Sequence, residues 1–404
     1  MGVPIPEELF PNADRARHYG LSPVSEEASA SEDAGEPTLV ERSDDRSSTD
    51  PVDVPSDVVE APPEPRVAQQ VPLVPPLVEQ VVPGARVAEA GRSAAGVGEE
   101  VSPARWGARG QVNRLSRGRL RLPPTPEEVG HREARSQVLR PFSQSQLVMV
   151  ANPKGGAGKT PTTVGLAATL GHYRGGYVLA WDNNETRGTL GQRAEAGPST
   201  GASVVDLLRQ VDHFLSAEAS VGQLAAYLRP QSSYFDVLAS DETPGRQEMI
   251  DGPNFQRLYQ ALARWYRIMV VDTGNNVRAP NWWATMRSAG CLVVPTSVQA
   301  DAANAGLWML DHLRAVGGRD LVERAVAVVT CADPRVDQWL LSAIVQTYQQ
   351  VVRDVVVVPF DAAIQPGTRI TYQDLAVSTR RAYLAAAVAV IESLAAAQVD
   401  GGGA

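Results

Sequence analysis

Seven short apolar runs punctuate the second half of the chain, at 147–151, 177–181, 235–239, 268–271, 291–295, 325–329 and 355–359. They are nearly continuous rather than alternating, the pattern of strands buried on both faces. Between most of them lie segments whose apolar positions repeat at helical spacing, at 160–173, 204–215, 254–264, 300–314 and 337–348. Strand and helix signals that alternate in this way predict an α/β fold, a doubly wound and mostly parallel sheet covered on both faces. Ligands of such sheets gather at the carboxyl ends of the strands. The polar residues just past each apolar run are therefore the ones to read for chemistry.

Upstream of these runs neither period persists. Residues 1–100 carry 20 Asp and Glu against 7 Arg, a net charge of −13, with frequent Pro and Ser. Such a composition predicts a disordered, acidic, Pro-rich tail over 1–103. Within it Pro72-Leu73-Val74-Pro75-Pro76 is either a polyproline II ligand or a solvated spacer. Residues 101–140 reverse the sign to +6, and six Arg with no acid fall within 105–121. This Arg-rich linker, 104–144, is either an arm for phosphates or an acidic partner, with Trp106 as stacking anchor, or a tether held loosely by the tail. A short helix is predicted at 127–139.

The predicted domain, 145–397, precedes a flexible C-terminal tail, 398–404. Residues 141–404 sum to −2, which gives the folded part no general pull on nucleic-acid phosphates. The start of the chain lacks a cationic, apolar leader. The C-terminal apolar run is mostly Ala, is broken by Glu392 and Ser393, and has no basic face. A cytoplasmic protein without a membrane anchor is expected. Cys291 and Cys331 lie far apart, outside metal-ligand spacing, and read as buried thiols. His172 has no second ligand one turn on and reads as an ordinary histidine, and Trp282-Trp283 is either packing or an interface reporter.

The most specific stretch is Asn152-Pro153-Lys154-Gly155-Gly156-Ala157-Gly158-Lys159-Thr160, between the first apolar run and a predicted helix. A strand, a Gly-rich turn and a helix start make a phosphate site: the backbone N–H groups converge, the helix adds its positive end, and Lys159 adds a mobile charge. Thr160 offers a hydroxyl to Mg²⁺. Of 37 basic residues 35 are Arg, and the two lysines are Lys154 and Lys159. Lysine therefore stands only where a compact ammonium suits phosphate. Two acids follow other apolar runs, Asp182 and Asp272, and so face the same sheet edge. Asp272 reads as a Mg²⁺ holder through water or as a strand cap, and Gly274 leaves room for a γ-phosphate at its N–H.

Lys154-Gly155-Gly156-Ala157-Gly158-Lys159-Thr160 resembles the deviant phosphate loop of the ParA/MinD ATPase family, and Asp182 and Asp272 fall at that family's two other nucleotide motifs. The resemblance spans about 145–397. It implies a P-loop ATPase that binds ATP and Mg²⁺ and dimerises face to face when ATP-bound. By resemblance Lys154 reaches the partner's phosphates, Lys159 serves its own subunit's β- and γ-phosphates, and Thr160, Asp182 and Asp272 hold the metal. Val358-Pro359-Phe360-Asp361 resembles the adenine-side loop. The implied cargo is DNA, bound without sequence preference, or a partition or secretion partner met through the N-terminal region. Arg114-Leu115-Ser116-Arg117-Gly118-Arg119, Asp236-Val237-Leu238-Ala239-Ser240-Asp241 and Thr379-Arg380-Arg381-Ala382-Tyr383 are similar to a closer subgroup, actinobacterial MinD-like ATPases with long Pro-rich N-termini, some tied to type VII secretion.

Three departures qualify the activity. Asn184 stands where many members have a water-positioning acid, which implies slow turnover, reliance on Glu185, or a binding module that holds ATP with little turnover. Thr273-Gly274-Asn275-Asn276 replaces a Pro-rich switch. Pro161 replaces a usual Thr, which a helix's first turn tolerates.

Overall fold

The computed structural model describes residues 102–117, 119–184, 187–195, 202–241, 250–365 and 367–401. The expected tail, apart from residues 102 and 103, lies outside the described residues, as do Glu185, Gly118 and residues 402–404.

The seven apolar runs form seven strands, and one further pair adds an eighth, β3: β1 (Gln146–Val150), β2 (Val178–Asn183), β3 (Arg229–Pro230), β4 (Asp236–Leu238), β5 (Ile268–Thr273), β6 (Cys291–Ser297), β7 (Val326–Thr330) and β8 (Asp354–Val358). They build one sheet in the order β3-β4-β2-β5-β1-β6-β7-β8, parallel throughout except for the two-residue edge strand β3. That strand is absent from the sequence reading, because a pair reading Arg-Pro has no apolar signature. β1 is central, flanked by β5 and β6. The chain leaves β1 toward β2 on one side and passes from β5 to β6 on the other, so connections diverge above the end of β1. Crevices form at such a divergence.

The eight longer helices are α1 (Gly107–Leu115), α2 (Pro126–Val138), α3 (Lys159–Arg174), α4 (Gly252–Leu262), α5 (Pro280–Ser288), α6 (Ala300–Ala315), α7 (Gln338–Gln349) and α8 (Val377–Gly401). Strand residues alternate between two cores, as the period of two requires. Leu147, Met149, Leu179, Trp181, Met269 and Val271 face one layer, which includes Phe255 of α4, Trp282 of α5 and Leu310 of α6. Val148, Val150, Val178, Ala180, Ile268 and Val270 face the other, built from α3 and α8. Trp181 stacks on Phe255 at 4.7 Å between ring centroids.

The segment before the sheet is anchored by one acid. The buried carboxylate of Glu128 accepts from the backbone N–H groups of Arg105 and Trp106, at 2.8 and 3.3 Å, and from Arg132 at 2.6 Å. Thr125 caps α2 by accepting from the Glu128 N–H, and Pro126 fills the first turn. An ion pair from Arg381 to Glu127 joins α8 to α2.

Candidate functional site

β1 ends at Val150, and the chain turns through residues 151–158 into α3. Two glycines make the turn: Gly156 has φ 79° and Gly158, the residue capping α3, has φ 94°. Both values are cheap only for glycine. Asn152 locks the entry, donating from Nδ2 to Pro295 O at 2.9 Å and Ala302 O at 3.1 Å, while its Oδ1 accepts from the Lys154 N–H at 2.9 Å. Pro161 is the third residue of α3, where its missing N–H has no helical partner to lose.

Lys159 Nζ donates to Asn152 O at 2.8 Å, Lys154 O at 3.2 Å and Asn275 Oδ1 at 2.5 Å. Lys154 points away toward α6, its Nζ 2.7 Å from Asp301 Oδ2. Both sequence acids lie in the same place. Register pairs Asp182 of β2 with Asp272 of β5, and Asp272 with Val150 of β1, so all three strands end level. The Thr160 hydroxyl donates to Asp272 Oδ2 at 2.6 Å, and Asp272 Oδ1 is buried with no partner among the described residues. Asp182 accepts from the N–H groups of Leu190 at 3.2 Å and Asn184 at 3.3 Å and from the Ser240 hydroxyl at 3.1 Å. Burial pushes the Asp182 carboxyl up to about 6. Burial, then the neighbouring Asp182 charge, pushes Asp272 up to about 7 against the pull of Thr160 and Lys159. Two buried acids are thus crowded beneath one hydroxyl.

A cavity of about 420 Å³ opens over this cluster. Residues 155–161 form its floor and Asn184 one wall. Pro359, Phe360 and Asp361, just past β8, close the far side. Asp361 there serves the backbone, accepting from the N–H groups of Ala363 at 3.0 Å and Ala376 at 2.8 Å. Gly274, Asp182 and Asp272 are buried behind the cavity wall rather than on it. Sequence reading did not assign Thr189, Arg193, Ser297, Thr330 and Cys331 to the site, and it read Asn275 only as part of the Thr273-Gly274-Asn275-Asn276 segment that replaces a Pro-rich switch. Ser297 and Thr330 end β6 and β7 and were accessible to the strand-end rule. Arg193 had no such signal. It is 8% exposed, held by a bond from Nη2 to Ile364 O at 2.8 Å.

The other singled-out residues fall elsewhere. Cys291 is buried under α8, which pushes its thiol up to about 12, and Cys331 lines the cavity with its thiol also raised by burial. Trp282 is buried and meets Trp283 edge-on at 5.6 Å. His172 lies at the far end of α3 against Tyr372, 4.8 Å between ring centroids. No helix among the described residues is long and apolar enough to cross a membrane.

No known family profile matches the chain. A curated relative, the ESX-1 secretion-associated protein EspI of Mycobacterium tuberculosis, is 28% identical over 257 residues, which are 63% of this chain and 37% of that protein. The chain thus spans little more than a third of its curated relative's length. Similar solved structures include a ParA family ATPase from Chlorobium tepidum, with TM-score 0.47 and 15% identity over 61% of this chain and 97% of that one. The cell division ATPase MinD of Pyrococcus furiosus gives TM-score 0.46 and 19% identity over 62% of this chain and 99% of that one. MinD of Pyrococcus horikoshii, complexed with Mg-ADP, gives 0.45 and 17% over 60% and 94%. In its phosphate-loop sequence and parallel sheet order, with β1 at the centre, the chain resembles the ParA/MinD-type ATPases, and its curated relative is a secretion-associated protein.

Proposed function

We propose that the chain is an ATP-dependent dimerisation switch of the ParA/MinD type, with slow hydrolysis. The observation that supports it most is the buried carboxylate of Asp272, one oxygen on the Thr160 hydroxyl and the other unpartnered, beneath a Gly-rich loop. An orphaned buried oxygen beside a second acid costs free energy unless a cation satisfies it. Thr160, Asp182 and Asp272 fit Mg²⁺ in donor type, all being hard oxygens. Magnesium, when bound, supplies positive charge to the β- and γ-phosphates.

The remaining roles belong to the chain's own groups. The N–H groups of Gly155, Gly156, Ala157, Gly158, Lys159 and Thr160 cradle phosphate at the start of α3, where Pro161 continues the helix. Lys159 exchanges its carbonyl and amide partners for phosphate oxygens. Gly274 donates its N–H toward the terminal phosphate. Pro359 and Phe360 give the base an apolar wall, and Asp361 fixes their loop. Asn184, a neutral amide, orients water but supplies no charge to activate it, which accounts for slow turnover. Lys154 leaves Asp301 and serves the facing subunit of the dimer. Light scattering with and without ATP tests the reading: wild type is expected to shift to dimer and Lys159→Ala to remain monomer. Equal monomer fractions would refute it.

The partner reading that the relative's name favours is a secretion apparatus, met through residues N-terminal to the ATPase domain, which we place at 145–397. The near-neutral charge of residues 141–404 counts against a duplex DNA cargo. Recruitment that fails without residues 1–103 while ATP binding persists is the expected outcome.

A further inference from the structure

Pro161 removes one donor from the phosphate cradle. The first bond inside α3 runs from the Thr162 N–H to Gly158 O at 3.0 Å, so the N–H groups ahead of Thr162 are free to meet a ligand. Lys159 and Thr160 have theirs to give, and Pro161 has none. The gap falls on the side of α3 that meets α8, where the Tyr383 hydroxyl donates to Pro161 O at 3.3 Å.

A cation stands beside that gap. Arg193 ends the short helix Leu190–Arg193 that follows β2, and it lines the same cavity as Pro161. Burial raises the Tyr383 hydroxyl and the Arg193 charge draws it back down, which places the guanidinium near the contact between Tyr383 and Pro161. Arg193 is 8% exposed. It spends Nη2 on Ile364 O at 2.8 Å, while Nε is buried with no hydrogen-bond partner among the described residues. No carboxylate among the described residues forms an ion pair with it. Asp361, which also acts on Tyr383, commits its oxygens to the Ala363 and Ala376 N–H groups. A buried guanidinium with no acid beside it costs free energy. In a cavity wall, an anionic ligand removes that cost.

The position selects the anion. Lys159, Asn275, Thr160 and Asp272 mark the end of the cavity that the proposed reading gives to the β- and γ-phosphates. Pro359 and Phe360 mark the end that takes the base. Arg193 is tied to the base end, because Ile364 O accepts from its side chain and its own O accepts from the Ile370 N–H at 2.9 Å. A nucleotide laid between the two ends carries its α-phosphate, the one next to the ribose, past Pro161 and Arg193.

We propose that Arg193 donates to the α-phosphate of the bound nucleotide, in place of the N–H that Pro161 lacks. The assignment rests on the ATP reading above and adds a binding residue to it. A guanidinium suits the task because its planar fork has donors left after one is given to Ile364 O.

Calorimetric binding of ADP to the full chain in EDTA tests it, with metal and ATP-driven dimerisation kept out of the measurement. Arg193→Gln keeps an amide donor for Ile364 O without the charge, and should weaken ADP about tenfold or more. ADPαS, which carries sulfur in place of one α-phosphate oxygen, separates a phosphate contact from mere support of the loop. One of its diastereomers should bind wild type several-fold less tightly than ADP, whereas Arg193→Gln should bind the two alike. Adding Pro161→Ala to Arg193→Gln restores the N–H and should recover part of the loss. Unchanged ADP affinity in Arg193→Gln, a sulfur effect equal in both proteins, or a loss that Pro161→Ala leaves untouched would each overturn the assignment and leave the ATP reading standing. A wild type that bound neither ADP nor Mg-ATP would refute both.

Discussion

Lys154 and Asp301 form an ion pair at 2.7 Å with about half of each side chain exposed, 45% and 57%. Solvent screening leaves such pairs worth about 0–1 kcal/mol, so the contact contributes little to the fold. Its bond with Lys154 holds the Asp301 carboxyl below the usual carboxylate range. If Lys154 serves a facing subunit, Asp301 competes for it. Asp301→Asn is then expected to leave thermal unfolding essentially unchanged and to lower the ATP concentration at half-dimerisation, read by light scattering; an unchanged titration would leave the pair no regulatory part. At Asn184 the expected change is chemical. Asn184→Asp places a charge beside the cavity and should raise steady-state phosphate release several-fold, whereas a flat rate would mean that Asn184 does not limit turnover. These positions are legible in sequence because they belong to one contiguous loop or to a strand end. Arg193 is not, since backbone folding alone brings it to the cavity.

Where α3 crosses α8, Gly165 gives the contact its closeness. A Cβ at Gly165 would lie 2.3 Å from the Tyr383 ring, and the Tyr383 hydroxyl donates to Pro161 O at 3.3 Å. Gly165→Ala is therefore expected to cost roughly 1–3 kcal/mol in chemical denaturation and to disturb nucleotide binding through Pro161. On β4, next to the edge strand, Asp236 accepts from the Tyr266 hydroxyl at 2.6 Å, and burial holds its carboxyl above the usual range despite that bond. A carboxyl raised on folding contributes stability below its unfolded value, near pH 4, and loses it as pH rises through the folded value. Asp236→Asn keeps the acceptor without the charge. Its stability relative to wild type should rise between acid and neutral pH and then level off; the opposite slope would assign Asp236 a favourable charge interaction.

For the whole molecule, alternating apolar runs convey the parallel sheet and both of its covering layers, because buried strands and amphipathic helices have different periods. Strand order is less legible. β5 inserts between β1 and β2 from some 90 residues downstream, a non-local pairing that no local pattern encodes. The segment before the sheet is only partly legible: the helix read at 127–139 is α2, whereas α1 and the anchor that fixes both, the buried Glu128 with its three partners, leave no mark in sequence. The convergence of Thr160 with Asp272 is the opposite case. A loop after one strand and an acid after another must meet if both strands end at one edge, and register makes them do so.

The bond from Lys159 to Asn275 Oδ1 has a kinetic meaning. If the site takes nucleotide as proposed, an arriving phosphate does not find a waiting ammonium; it must exchange places with the Asn275 amide and with the two carbonyls that Lys159 also holds. Association therefore includes a bond-breaking step and runs slower than diffusional encounter allows, with temperature raising the on-rate more steeply than solvent viscosity lowers it. Departure restores the bond, so the off-rate carries the compensating gain. On that reading Asn275, outside the phosphate loop, is expected to bear on the residence time of nucleotide and on the lifetime of the assembly it sustains.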